Sequence, residues 1–196
     1  SSFSVDTTAP VVTVNTVAGD NVLNTAEQGQ AHVITGHASG AAAGDIVTVT
    51  LGNHTFTGMV QVDGSWSVGV PASVFGSLGE GQHTFTVSVT DAAGNTGSAT
   101  QGITLSGNPP EFTLDAISQD NVLNAQESLQ PLSLSGTSNL PDGTVMTVTL
   151  NNVNYQTTVE NGVWAVQIPV TDVLNLANTL YTVSVSGTDS AGNTGM

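Results

Sequence analysis

Val47-Thr48-Val49-Thr50-Leu51 is the stretch that decides the fold, and it returns as Met146-Thr147-Val148-Thr149-Leu150. Apolar and hydroxyl side chains alternate with a period of two, so one face of the extended chain is oily and the other is wettable. That is the pattern of a half-buried strand in an antiparallel sheet. The same period runs on around it. Trp66, Val68 and Val70 alternate with Ser65, Ser67 and Gly69, and Phe85, Val87 and Val89 alternate with Thr84, Thr86, Ser88 and Thr90. Gly52-Asn53, Asp63-Gly64 and Ala93-Gly94-Asn95 punctuate the runs as turns.

The recurrence extends well beyond one strand. Asp20-Asn21-Val22-Leu23-Asn24 with Glu27 returns as Asp120-Asn121-Val122-Leu123-Asn124 with Glu127, and Gly36 returns as Gly136. Asp63-Gly64-Ser65-Trp66 becomes Asn161-Gly162-Val163-Trp164, Pro71 becomes Pro169, and Asp91 to Gly97 becomes Asp189 to Gly195. The offset stays at about 98 to 100 residues, so the chain holds two copies of one domain. In the first copy strands are expected near 11–16, 30–38, 46–52, 54–62, 65–70, 82–90 and 97–105, with a helical turn only within 71–79. Seven short strands around a buried Trp, with no Cys anywhere, predict an all-β chain of two tandem immunoglobulin-like antiparallel β-sandwich domains without the disulfide.

The expected boundaries are 1–5 for the tail of a preceding repeat, 6–105 for the first domain, and 106–196 for the second. When Pro10 is set on Pro110, Phe3-Ser4-Val5 falls opposite Ile103-Thr104-Leu105, the last strand of the first copy. The second copy reaches only its Gly-Asn-Thr-Gly turn and lacks that strand within this chain. The expectation is therefore a fragment with neighbouring repeats on both sides. Its second domain has a vacant edge that another chain fills, with that chain's Ser1–Val5 as the candidate donor.

Charge narrows the function. Of 196 residues, 15 are Asp or Glu and none is Lys or Arg, giving a formal net charge of −15. A chain without cations does not grip a phosphate backbone or an anionic membrane, which sets nucleic-acid binding aside. No apolar run reaches the ~18 residues of a spanning helix, so membrane insertion of this segment is not expected. The carboxylates must be solvated, hydrogen-bonded or matched by a cation the chain does not encode. Strand alternation sends Asp20, Asn24, Glu27 and Glu80 to one pole of the first domain. It sends Asp6, Asp45, Asp63 and Asp91 to the other.

The second copy repeats Asp120, Glu127 and Asp189, and adds Glu111 in its linker and Asp142 in a turn. Hard oxygen ligands gathered in loops suit Ca2+. The candidate metal ligands are thus Asp6, Asp20, Asn24, Glu27, Asp45, Asp91, Glu111, Asp120, Glu127, Asp142 and Asp189. For any one of them the alternative is an ordinary Asx turn, capped by its own side chain. His32, His37, His54 and His83 are spread over three expected strands of the first copy, His32 and His37 sharing 30–38, so they read as strand-edge residues and not as a zinc site. Trp66 and Trp164 fall at inward parity and read as core.

Three segments together carry a resemblance: Asp6-Thr7-Thr8-Ala9-Pro10, Ala18-Gly19-Asp20-Asn21-Val22-Leu23-Asn24 with Glu27, and Asp91-Ala92-Ala93-Gly94-Asn95-Thr96-Gly97. They resemble the bacterial immunoglobulin-like extender repeats of giant adhesins of the RTX type, secreted by type I systems. The resemblance implies tandem sandwiches in tens of copies, with Ca2+-stiffened linkers and neighbouring repeats as partners. It also implies a non-enzymatic, extracellular role, projecting distal binding domains from the bacterial surface. Ser106-Gly107-Asn108-Pro109 departs from the Asp6-Thr7-Thr8-Ala9 pattern, and Glu111 or Asp115 is the expected substitute ligand. The alternative function is a ligand-binding adhesin module, which an exposed aromatic patch or a pocket of convergent polar groups would favour.

Overall fold

Alternation is converted into sheets closed around a core in each of two units, Ser1–Gly107 and Asn108–Met196, in a computed structural model that describes all residues 1–196. Unit 1 contains β1 (Val11–Val14), β2 (Val22–Leu23), β3 (His32–Ser39), β4 (Ile46–Leu51), β5 (His54–Met59), β6 (Ser65–Val70), β7 (Gly81–Thr90) and β8 (Thr96–Leu105). One sheet has the order β1-β3-β6 and the other β2-β8-β7-β4-β5. Between them Val47, Val49, Leu51, Phe85, Val87 and Val89 are wholly buried, against Ile34, Trp66 and Val68 from the opposite sheet. Each such side chain contributes about 1.5–3 kcal/mol of transfer free energy, which fixes the register: a one-residue slip would turn the whole set to water.

All seven expected strands are present, and two elements were not foreseen. β2 is a two-residue strand that pairs parallel with the end of β8, Val22 with Thr104 and Leu23 with Leu105. A short helix, α1 (Thr25–Gln28), follows it, so 71–79 is not the sole helical stretch; that region supplies α2 (Ala72–Ser77). The packing also explains why a glycine recurs at 36 and 136. A Cβ at Gly36 would stand 1.9 Å from the Thr13 carbonyl oxygen and 2.4 Å from Trp66 Cζ2. At Gly136 it would stand 1.8 Å from the Thr113 oxygen and 2.9 Å from Trp164 Cζ2. The indole lies directly on the strand, and only glycine leaves room for it.

Unit 2 repeats the plan with β9 (Leu132–Thr137), β10 (Val145–Leu150), β11 (Val153–Glu160), β12 (Val163–Ile168), the helix α3 (Val170–Val173), β13 (Val183–Thr188) and β14 (Thr194–Gly195). Here β11 and β12 pair directly, so the order runs β14-β13-β10-β11-β12-β9 as one continuous sheet. The segment Phe112–Asp115 runs beside β9 as β1 runs beside β3. Thr113 N donates to Thr137 O at 3.0 Å and Asp115 N to Ser135 O at 2.8 Å. Trp164 is 1% exposed and donates from Nε1 to the Thr113 oxygen at 3.2 Å. β14 pairs its two residues with Gly187 and Thr188.

Candidate metal-binding turns

Each acidic turn is first of all a device for ending a strand. In six aspartates, Asp6, Asp20, Asp63, Asp91, Asp120 and Asp189, Oδ1 accepts the backbone N–H of the residue two places on, at 2.9–3.0 Å. This is the Asx turn, in which the side chain stands in for the carbonyl of a β-turn. Asp91 goes further. Its Oδ1 also accepts Asn95 N at 2.8 Å and its Oδ2 accepts Asn95 Nδ2 at 3.0 Å, and these bonds, the Asn95 side chain foremost, hold its carboxyl below the usual range. Asp189 makes the same pair of bonds to Asn193, each at 2.9 Å. Asp63 is held low chiefly by the Ser65 hydroxyl at 2.6 Å.

The Asp-Asn-Val-Leu-Asn motif resolves residue by residue into local structure. Asp20 closes its turn, and Asn21 adopts a left-handed φ of 63° while its Oδ1 accepts Val17 N at 2.8 Å. Leu23 is wholly buried. Asn24 caps α1: its Oδ1 accepts Ala26 N and Glu27 N at 3.0 and 3.1 Å, and Glu27 Oε2 accepts Asn24 N at 3.0 Å. That is a reciprocal capping box. Asn124 and Glu127 build the same one, with bonds of 2.9, 3.1 and 2.9 Å. Both lone pairs of each Asn side-chain oxygen are thereby used, which leaves Glu27 and Glu127 with Oε1 outside the box.

Strand pairing shows which candidates share an end. Ile46 faces Thr90, so Asp45 and Asp91 flank the same end of the β4–β7 ladder, and Asn95 Nδ2 donates to the Asp6 carbonyl at 3.2 Å. Asp45 Oδ2 accepts Ala42 N at 2.7 Å. At the opposite end, Glu80 Oε2 accepts Gly107 N at 2.7 Å and the Thr25 hydroxyl donates to Gly107 O, beside the Asp20–Glu27 segment. Sequence reasoning did not anticipate that this end clamps Gly107. In unit 2, Asp142 is not the counterpart of Asp45. The shared residue of that turn is the glycine, Gly44 or Gly143, which donates to Val60 or Val159 at 2.8 Å with φ of 98° or 82°.

Glu111 accepts and donates through its backbone, its N–H meeting Asn139 Oδ1 at 2.9 Å, while Asp115 Oδ2 accepts the Ser135 hydroxyl at 2.6 Å. The donors are all hard oxygens, as Ca2+ requires, but within neither unit do three carboxylates or imidazoles converge on one point. An ion at these turns would draw most of its ligands from backbone carbonyls and water. The imidazoles are dispersed: His32, His37 and His83 each meet a different backbone carbonyl, of Glu27, Asp63 and Gly79. No helix of the chain is long and apolar enough to cross a membrane.

The pattern of the bacterial Ig-like domain matches residues 37–106. No curated protein sequence matches the chain. Among solved structures, a Ca2+-stabilised adhesin that helps an Antarctic bacterium reach out and bind ice is 34% identical, over 95% of this chain and 46% of that one, with a TM-score of 0.60. A 1.5-MDa bacterial ice-binding adhesin, studied for host cell surface retention, is 31% identical over 95% of this chain and 61% of that one, with a TM-score of 0.62. A single bacterial immunoglobulin-like domain of the M. primoryensis ice-binding adhesin is 35% identical over 50% of this chain and 99% of that one, with a TM-score of 0.40. The chain thus spans about half of the first structure it matches and 61% of the second. By the matched pattern and the identities to the first two of these structures, the chain belongs to the bacterial Ig-like domain family.

Proposed function

We propose that this chain is a structural, non-enzymatic extender segment of a large repetitive adhesin. In this reading it is exported by a type I system to the bacterial surface and serves as a Ca2+-stiffened spacer for distal binding domains. The observation that carries the reading is the duplication itself. Two sandwiches, each closed on its own core, carry the same Asx turns and capping box at matching positions, which is how a repeating spacer is built and not how a single cleft is built. The 34% identity to a Ca2+-stabilised adhesin that reaches out supports the same conclusion. Burial of both Trp side chains removes the aromatic platform that a sugar-binding module would present.

In this proposal the Ca2+ donors are carboxylate oxygens outside the Asx turns. Asp6, Asp45 and Asp91 supply them at one end of unit 1, and Asp20 and Glu27, beside Asn24, at the other. Glu111, Asp142, Asp189, Asp120 and Glu127 are the candidates in unit 2. Bound Ca2+ supplies the positive charge that the sequence lacks. At a hundredfold excess over Kd it stabilises the binding form by about 2.7 kcal/mol. For a unit of this size that raises the melting temperature by roughly 10–20 °C. Thermal melts and small-angle scattering in CaCl2 and in EDTA test the reading. A higher melting temperature and a stiffer particle in Ca2+ are expected; superimposable curves would overturn it.

A further inference from the structure

The two units part company at one corner, between the β10–β11 hairpin and α3 in unit 2 and between the β4–β5 hairpin and α2 in unit 1. In the repeat register Phe56 corresponds to Tyr155, Val74 to Asp172, His54 to Val153, Gly52 to Asn151 and Ser77 to Asn175. In unit 1 the corner is closed. Val74 is buried, and the His54 ring stacks on Phe56 with centroids 6.5 Å apart and reaches the Ser77 hydroxyl at 3.5 Å. Val153 is too short to do either, and in unit 2 a cavity of about 140 Å³ opens over Leu150 and Leu176. It lies on the β11 side of β10, and β13 lies on the other side.

The exchanges are coordinated. Where unit 1 has a valine and a phenylalanine, unit 2 has a carboxylate and a phenol, and the two meet: the Tyr155 hydroxyl donates to Asp172 Oδ2 at 2.7 Å. A half-buried carboxylate loses hydration that a valine does not have, and the phenol replaces part of it while fixing how the carboxylate stands. Burial, with that carboxylate, pushes the phenol up to about 12, so it stays a donor at every ordinary pH. Asp172 Oδ1 and the side-chain amides of Asn151 and Asn175 line the same cavity and make no hydrogen bond within the chain. Three polar groups therefore surround an apolar floor with their bonding capacity unspent.

We propose that this cavity is a carbohydrate subsite that takes one neutral pyranose ring. A pyranose presents a C–H face and a rim of hydroxyls, each of which both donates and accepts. Leu150, Leu176 and the Tyr155 ring match the face, Asp172 Oδ1 accepts, and each Asn amide donates and accepts. A cation would use acceptors alone and leave both amide NH2 groups unanswered. The volume falls below the ~300 Å³ at which pockets for drug-sized ligands begin, so one ring enters and not an oligosaccharide chain. At the matching positions unit 1 has neither the phenol, the carboxylate nor the amides, which makes the site private to unit 2. It adds a contact to the spacer role and does not depend on bound Ca2+.

Heteronuclear NMR of the full chain tests this, with the methyl glycosides of glucose, galactose, mannose and N-acetylglucosamine each titrated to about 100 mM, well above the millimolar Kd of a weak site. At least one should give saturable shifts at Asn151, Tyr155, Asp172 and Asn175, while Gly52, Phe56, Val74 and Ser77 stay still as the internal control. Tyr155→Phe/Asp172→Val installs the unit 1 pair and removes both hydrogen-bond partners together, so no polar group is stranded; binding should weaken by about tenfold or more. Asn175→Ala, at an exposed position away from the core, should weaken it by a similar factor with the fold intact. Absence of saturable shifts with every glycoside overturns the proposal, as do equal shifts in both units or full affinity in both variants. Methylammonium is the cationic control: the same signals moving with it and with no glycoside would make this a cation site and overturn the carbohydrate assignment.

Discussion

Gly36→Ala is the substitution that the duplicated packing judges most severely. Gly36 lies in β3, opposite Val14 of β1 and Trp66 of β6. The new Cβ would come within 1.9 Å of the Thr13 oxygen and within 2.4 and 2.7 Å of two indole carbons, where ordinary contact begins near 3.4 Å. Neither neighbour is free to yield. The Thr13 oxygen belongs to the backbone of a paired strand, and Trp66 is 2% exposed with core on every side. Overpacking of this kind costs about 1–3 kcal/mol, and moving β1 off β3 adds roughly 1 kcal/mol for each ladder bond lost. A total of about 3–5 kcal/mol is a large share of the 5–15 kcal/mol that holds a typical domain together. At roughly 4–8 °C per kcal/mol, unit 1 should melt at least about 12 °C lower. Calorimetry reads the two units separately: Gly36→Ala lowers one transition, Gly136→Ala the other. A shift below about 2 °C for both would refute the claim that the indole–glycine contact is rigid.

Three smaller perturbations follow from the same contacts. Asn24→Ala deletes the acceptor of two backbone N–H groups in the capping box and should cost about 1–2 kcal/mol in urea unfolding, where Gln61→Ala, at an exposed position outside any cap, should cost almost nothing. Tyr155 donates to Asp172 Oδ2 at 2.7 Å, and burial foremost, with that carboxylate, pushes the phenol up to about 12. Its neutral form is therefore what folding favours, so this contribution is present below about pH 10 and lost as pH rises through 12; in Tyr155→Phe the late step of the phenol absorbance titration should vanish, at a cost of about 1.5–3 kcal/mol in stability. Asp91 titrates the other way: held low when folded, it stabilises above the unfolded value near 4 and loses that contribution as pH falls through the folded one, so Asp91→Asn should flatten the acid limb of melting temperature against pH.

The strands were legible because burial in a two-sheet sandwich has period two, and Val47, Val49 and Leu51 against Thr48 and Thr50 state it without ambiguity. β2 was not legible, since a two-residue parallel pairing depends on β8, some eighty residues away, and leaves no periodicity of its own. α1 escaped for a different reason. Asn24 and Glu27 have the spacing of a capping box, but four helical residues present no apolar face to signal a helix. Read as ligands, those two residues pointed to a cation; read in place, most of their oxygens already hold backbone N–H groups. Asp45 and Asp142 do not fall in register because the turn they share is defined by Gly44 and Gly143, and the acid is free to sit on either side of the glycine.

The same turns make the net charge of −15 a structural matter. With no Lys or Arg, cohesion rests on apolar burial and hydrogen bonds, and six aspartates are fixed in place by their own Asx turns. Fixed like charges repel over a Debye length of about 8–10 Å in ordinary buffer, and about 3 Å in 1 M salt. Screening alone therefore predicts that 1 M NaCl stabilises both units at least as well as any dilute salt. Coordination predicts a different order, because about 1 mM CaCl2 barely alters the ionic strength but supplies a ligand-seeking cation that takes six to eight oxygens. Melting temperatures in about 1 mM CaCl2, in the same concentration of MgCl2, and in NaCl matched first to that ionic strength and then raised to 1 M separate the two accounts. Coordination requires that Ca2+ exceed Mg2+ and matched NaCl, and that EDTA reverse the gain. If 1 M NaCl reproduces the whole effect, the acids act through their field and the Asx turns need no ion.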